Sequence, residues 1–152
     1  MASAELRDFL GSVQEARFQY HRAVSREQEL RERCENMTTN WSSEPHGSGD
    51  VHRDGPLTAL AQAHAELKDL YAAWEQAEEE VDCFLNRIRD IRYRAILQLR
   101  YVDLYSWPRI EEELQKGGIY YEQRQIFRLH GRALVEAEDL WENYQKEEKH
   151  GT

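Results

Sequence analysis

Apolar residues recur three and four positions apart over most of the chain, a period that predicts helices and no strands. From residue 4 to about 37, Leu6, Leu10, Val13, Tyr20, Val24, Leu30, Cys34 and Met37 keep that spacing without an internal proline. One long amphipathic helix is expected there, weakened slightly at Gly11, with Glu15, Arg22, Glu29 and Arg33 on its solvated faces. Residues 38–55 (TTNWSSEPHGSGDVHRDG) break every period and predict a loop, with Trp41 packing back on the helices. Pro56 suits the first turn of a second long helix. Its seam is Leu57, Leu60, His64, Leu67, Tyr71, Trp74, Glu78, Val81, Leu85 and Ile88, widened on one flank by Leu70, Ala77, Phe84 and Ile91. An antiparallel hairpin with apolar surface to spare for a third helix or a second subunit follows, and His64 reads as a tolerated core or boundary histidine in it rather than a ligand.

Near Asp90 the pattern resets. Asp90 either caps a short helix carrying Tyr93, Ile96, Leu97, Leu99 and Tyr101 or lies within a continuous one. Ser106 is an N-cap candidate, Pro108 fits the first turn that follows, Ile110 and Leu114 form a buried face, and Gly117–Gly118 end that helix. A last helix is expected from about Tyr121 into the 140s, with Ile126, Leu129, Ala133, Ala137, Leu140, Trp141 and Tyr144 toward a core. Residues 147–152 (EEKHGT) should fray. The expected fold is all-α: a hairpin over 1–90 with its loop at 38–56, a helix-turn-helix over 91–148, and a tail at 149–152.

At 152 residues with 40% hydrophobic and 32% charged side chains, the chain is long enough for one domain with an extension. No run approaches a membrane span and the amino terminus lacks a signal-peptide pattern, so a cytoplasmic protein, away from the membrane, is expected. Cys34 and Cys83 have no second thiol or ligand spacing beside them, and His46 and His52 no partner, so neither a metal nor another cofactor is implied. The net charge of −9 argues against indiscriminate coating of nucleic acid. Locally, however, Lys116, Arg124, Arg128 and Arg132 face a single acid, Glu122, between positions 116 and 134. Nucleophile elbows, phosphate loops and metalloprotease or kinase signatures are absent, and runs such as Glu78–Glu80 and Glu111–Glu113 read as solvated faces. No catalytic residue is expected, and the chain is not read as an enzyme.

The remaining signal is the pairing of LQLRYVDLYSWPRIEEEL with RQIFRLHGRAL. Leu99, Arg100, Tyr101, Ser106, Trp107, Ile110 and Leu114, then Arg124, Gln125, Ile126, Arg128, Leu129, His130, Ala133 and Leu134, resemble region 4 of bacterial sigma factors. More closely, they are similar to the sigma-like late-transcription regulators of phages and prophages of the ArpU/RinA type. The resemblance covers about the last third of the chain. It implies a helix-turn-helix whose last helix enters the major groove of double-stranded DNA, in a transcription regulator that activates late genes. Three features depart from the pattern. Glu111 stands where a small residue is usual, Gln115–Tyr121 make a long turn, and Tyr121 or Glu122 replaces a serine or threonine at the start of the last helix.

Arg124, Arg128 and Arg132, at i, i+4 and i+8, share one slowly drifting face. Gln123, Arg124, Gln125 and Arg128 are the candidates for base edges, arginine suiting guanine and glutamine adenine. Arg132, Lys116 and Arg109 suit phosphates, Ser106 and Trp107 could meet the DNA backbone through free N–H groups, and Tyr121 stands at the head of the last helix. His130 should pack against its own domain. The competing expectation for the arginines is pairing with acids such as Glu136 on a solvated face. The hairpin would serve a homodimer or a contact with host RNA polymerase. The alternative is a non-enzymatic helical adaptor for phage assembly or packaging, its helix-turn-helix vestigial, which the acidic total and Glu111 favour.

Overall fold

The computed structural model describes residues 3–41 and 50–151, with side chains for 3–36 and 55–151, and the described residues are all-α. Six helices follow one another: α1 (Ala4–Leu10), α2 (Ser12–Trp41), α3 (Asp50–Leu85), α4 (Ile91–Tyr101), α5 (Trp107–Lys116) and α6 (Gln123–His150). None is long and apolar enough to cross a membrane among the described residues. Met37, Trp41, His46 and His52 lie outside the residues whose side chains are described.

Several expected boundaries move. The first helix divides at Gly11, whose N–H still bonds Arg7 O at 2.8 Å, so the division is slight. Of the loop expected over 38–55, residues 38–41 belong to α2 and residues 50–55 to α3, while 42–49 lie outside the described residues. Nothing from Thr38 to Trp41 obliges a helix to stop; the first proline is Pro45. Pro56 therefore sits inside α3 rather than in its first turn. Gly55 before it has no Cβ to collide with the proline ring, which removes part of the usual objection to helical backbone there. At the other end, α6 reaches His150 instead of fraying from Glu147. Glu147 takes an ion pair from Arg87 at 2.6 Å, and Lys149 and His150 complement the negative end of the helix dipole.

The chain forms two compact units, residues 1–15 with 76–152, and residues 16–75, a division that cuts across the expected boundary at 90/91. In the second unit the α2 and α3 segments run antiparallel: Tyr20 meets Tyr71 and Trp74, while Glu27 meets His64. Glu27 is buried at 4% exposure but not orphaned, since His64 Nε2 lies 2.8 Å from its carboxylate and Arg31 pairs with it. The His64 hydrogen bond, outweighing burial, holds the Glu27 carboxyl below its ordinary range. His64 is accordingly a half-exposed boundary residue. The seam here is only partly covered, with Leu57 and Tyr71 exposed, because two helices cannot enclose a stripe as wide as the one on α3.

In the first unit the same stripe becomes core: Val81, Leu85 and Ile88 are fully buried, as are Leu6, Leu10 and Val13. Phe9 of α1 packs edge-on to Phe84 of α3 at 5.5 Å and against Trp141 of α6 at 4.8 Å. Ser3 N–H donates to Glu138 at 2.8 Å, which ties the start of α1 to α6. These contacts bring α1 beside α6. Cys34 is half-buried and Cys83 exposed, and neither is in a disulfide.

Candidate nucleic-acid interface

The candidate interface lies on the core shared by α4, α5 and α6. Asp90 caps α4, its carboxylate accepting the Arg92 N–H at 2.9 Å, so the third and fourth helices are separate. Ile96, Ile110, Leu114, Ile126 and Leu129 are buried together, with Tyr93, Leu99, Tyr105, Trp107, Ile119 and Tyr121 packed around them. α5 follows α4 through Leu104, which takes a left-handed φ of 59°.

The turn between α5 and α6 spans 117–122, since α5 continues through Lys116. It closes α5 with a Schellman motif: Gly118, at φ +88°, donates to Gln115 O at 3.0 Å, and Ile119 donates to Leu114 O at 2.8 Å. Ile119 and Tyr121 then drop into the shared core, so the length of this turn is filled by packing. Glu122 is the N-cap of α6, and its N–H donates to Gln125 Oε1 at 3.0 Å, the reciprocal half of a capping box.

On α6, Ile126, Leu129 and Ala133 are buried, while Gln123, Arg124, Gln125, Arg128 and Arg132 are exposed. Among the described residues, no carboxylate pairs with Arg124, Arg128 or Arg132 within ion-pair distance, Glu136 included. The competing expectation of a salt-bridged solvated face therefore has no geometric counterpart here. The other candidates separate. Tyr121, Gln125, Arg128 and Arg132 line one cleft of about 190 Å³ with Leu129 and Arg92 of α4. Lys116 pairs with Glu113 at 3.0 Å, and Arg109 lies over the Tyr105 ring at 4.2 Å. Ser106 caps α5 by position only, its exposed hydroxyl taking no cap hydrogen bond. The Trp107 side chain is half-buried, edge-on to Phe127 at 5.0 Å and His130 at 4.9 Å, with Arg100 over its face at 4.5 Å. His130 is packed as expected, its Nε2 2.9 Å from the Tyr101 hydroxyl. Burial, and next the Arg100 charge, push the imidazole below its ordinary value.

Three further residues belong to this surface. Arg92 joins the cleft from α4; the run NRIRDIRYR, with arginines at 87, 89, 92 and 94, was its signal. Phe127 is 48% exposed on the flank beside Trp107, although its helix has a core face nearby. Gly131 lies in mid-helix, and a Cβ added there would meet nothing within 4 Å. The fold itself gives no steric reason for that glycine.

No family model matches the chain, and neither the curated proteins nor the solved structures contain a significant match to it.

Proposed function

We propose that the protein is a sequence-specific double-stranded-DNA-binding transcription regulator of phage or prophage type. It would read the major groove with the first turns of α6, supported by α5 as in a helix-turn-helix. The observation that carries this reading is the unpaired stripe Arg124, Arg128 and Arg132, back to back with the buried Ile126, Leu129 and Ala133, in a chain of net charge −9. Arginines kept clear of acids in so acidic a chain are suited to an external polyanion. The sigma-region-4-like pattern from Leu99 to Leu134 supports the same reading, and with it activation of late genes. Gln123 and Arg124 are the base readers, with exposed Phe127 suited to a thymine methyl group. Gln125 is demoted, since its carbonyl oxygen serves the cap of α6.

The test is binding to duplexes from upstream of the neighbouring genes, followed by fluorescence anisotropy across salt. A preferred site should emerge, and Arg124→Ala should cost roughly 1–3 kcal/mol of preference at one base pair. Absence of any preferred site, with Arg124→Ala indistinguishable from wild type, would leave the adaptor reading in its place. The exposed Phe18, Leu57 and Tyr71 of the 16–75 unit suit a protein contact under either reading, with RNA polymerase or a second copy as the expected partner.

A further inference from the structure

The cleft beside α6 gathers three guanidinium groups from two helices: Arg92 in the first turn of α4, and Arg128 and Arg132 one turn apart on α6. Tyr121 and Gln125 add a phenol and an amide, Leu129 forms an apolar patch, and no carboxylate belongs to the lining. The chain has 29 acidic and 20 basic residues, so three arginines sharing a lining free of acids runs against its composition. Like charges placed together repel, and an anion between them turns the repulsion into attraction.

The arms differ in how they are held. Asp90, itself fixed as the cap of α4, takes Arg92 Nη2 at 3.2 Å and Nε at 3.4 Å, while Arg92 Nη1 lies 3.5 Å from the Tyr121 hydroxyl. Arg92 is thus pre-oriented, with its charge held firmly by Asp90 and by Tyr121. Even after Asp90 offsets one charge, two net positive charges remain. A volume of about 190 Å³ is roughly six waters' share of the liquid, room for a tetrahedral oxyanion. Arg92, Gln125, Arg128 and Arg132 are all exposed, so the cleft is a shallow seat and not an enclosing pocket. Small free ligands bind in pockets that cover most of their surface, whereas a polymer phosphate gains its hold from contacts on either side. Arg124 and Gln123 lie on the same helix within two turns of Arg128, where the neighbouring part of such a polymer would run.

We propose that Arg92, Arg128 and Arg132 form a phosphate clamp that seats one backbone phosphodiester of duplex DNA beside the base-reading face. The proposal rests on the DNA-binding reading given above. It moves Arg128 from reading bases to positioning the duplex, and makes α4 a direct contributor to the interface.

The test compares wild type with Arg92→Gln, Arg128→Gln and Arg132→Gln, singly and together, plus Arg33→Gln as a charge-matched control in the other unit. Binding to a random-sequence duplex is measured by anisotropy over a range of salt. In parallel, the arginine Nε–Hε signals are followed by NMR as inorganic phosphate is added. Each cleft substitution should weaken binding to preferred and random sequence alike, and because the three arginines share one phosphate, replacing all three together should lower the magnitude of the log K against log salt slope by about 0.9. Arg33→Gln should leave affinity and slope unchanged. Because Arg92→Gln also removes a partner of Asp90, Arg92→Lys is included; it keeps the charge and should keep the affinity. Duplex binding with affinity unchanged in the three single glutamine variants and slope unchanged in the triple variant would overturn the clamp and spare the DNA reading. No duplex binding even at low salt would overturn both. If phosphate then still shifted the three arginine signals, the cleft would be a free-phosphate site and the backbone assignment would be wrong.

Discussion

Replacing Gly131 with alanine sets the stability of α6 against the use of its outer face. Gly131 is the ninth residue of a 28-residue helix, exposed, and free of any neighbour that a Cβ would touch within 4 Å. In such an environment glycine costs about 0.8–1.0 kcal/mol relative to alanine, through the backbone entropy it loses on folding. Gly131→Ala should therefore stabilise the folded protein by about that amount. Urea unfolding followed by far-UV circular dichroism should show a higher midpoint with an unchanged slope. If the glycine is instead there to let a DNA backbone or groove wall approach α6, the same change should weaken duplex binding. A longer side chain at that position, Gly131→Gln, should weaken it by about tenfold, or ~1.4 kcal/mol. Stabilisation by alanine together with unweakened binding by both variants would refute the close-approach reasoning. Destabilisation by alanine would refute the placement of Gly131 on an open helical face.

Ile126→Ala removes a side chain that is 1% exposed in the α4–α5–α6 core and should cost about 2–5 kcal/mol in urea unfolding, whereas Arg124→Ala on the opposite face should stay within about 0.5 kcal/mol of wild type. Gly118→Ala forces a side chain into φ +88° and should cost about 1–2 kcal/mol, while Gly117→Ala, at φ −83°, should be tolerated; paired thermal melts would tell them apart. His130 has a folded pKa below its ordinary 6.5, so the unfolded chain binds its proton first as pH falls. Its neutral form is fully accommodated above that value, and stability should decline as pH drops through about 6.5, levelling off once the folded pKa is passed. Urea midpoints from pH 8 to 5 should show this decline reduced in His130→Gln; an identical profile would dissociate His130 from it.

The periodicity of the chain determined its all-α class and the faces of the later helices. Ile110 and Leu114, and then Ile126, Leu129 and Ala133, can only be shielded together if their helices pack on one another. The stop at Gly117–Gly118 was equally legible, because left-handed turns demand particular residue types within a few positions, whereas Asp90 fitted both a capped short helix and a continuous one until the structure placed its carboxylate on the Arg92 N–H. The even spacing along α3 could not tell its exposed Leu57 from its buried Leu85, because burial depends on how many helices arrive from elsewhere in the chain. Nor could local sequence place Phe9 against Trp141, or Ser3 against Glu138, across more than 130 intervening residues.

The same distinction applies at the candidate interface. The arginine stripe at 124, 128 and 132 follows from the 3.6-residue turn alone. That Arg92 joins two members of that stripe, that Gln125 is drawn into a cap, and that Ile119 and Tyr121 fill the long turn were decided by tertiary packing. A helix's own geometry determines which of its residues share a face. Which residues of other helices meet that face is decided by the shape of the core beneath them.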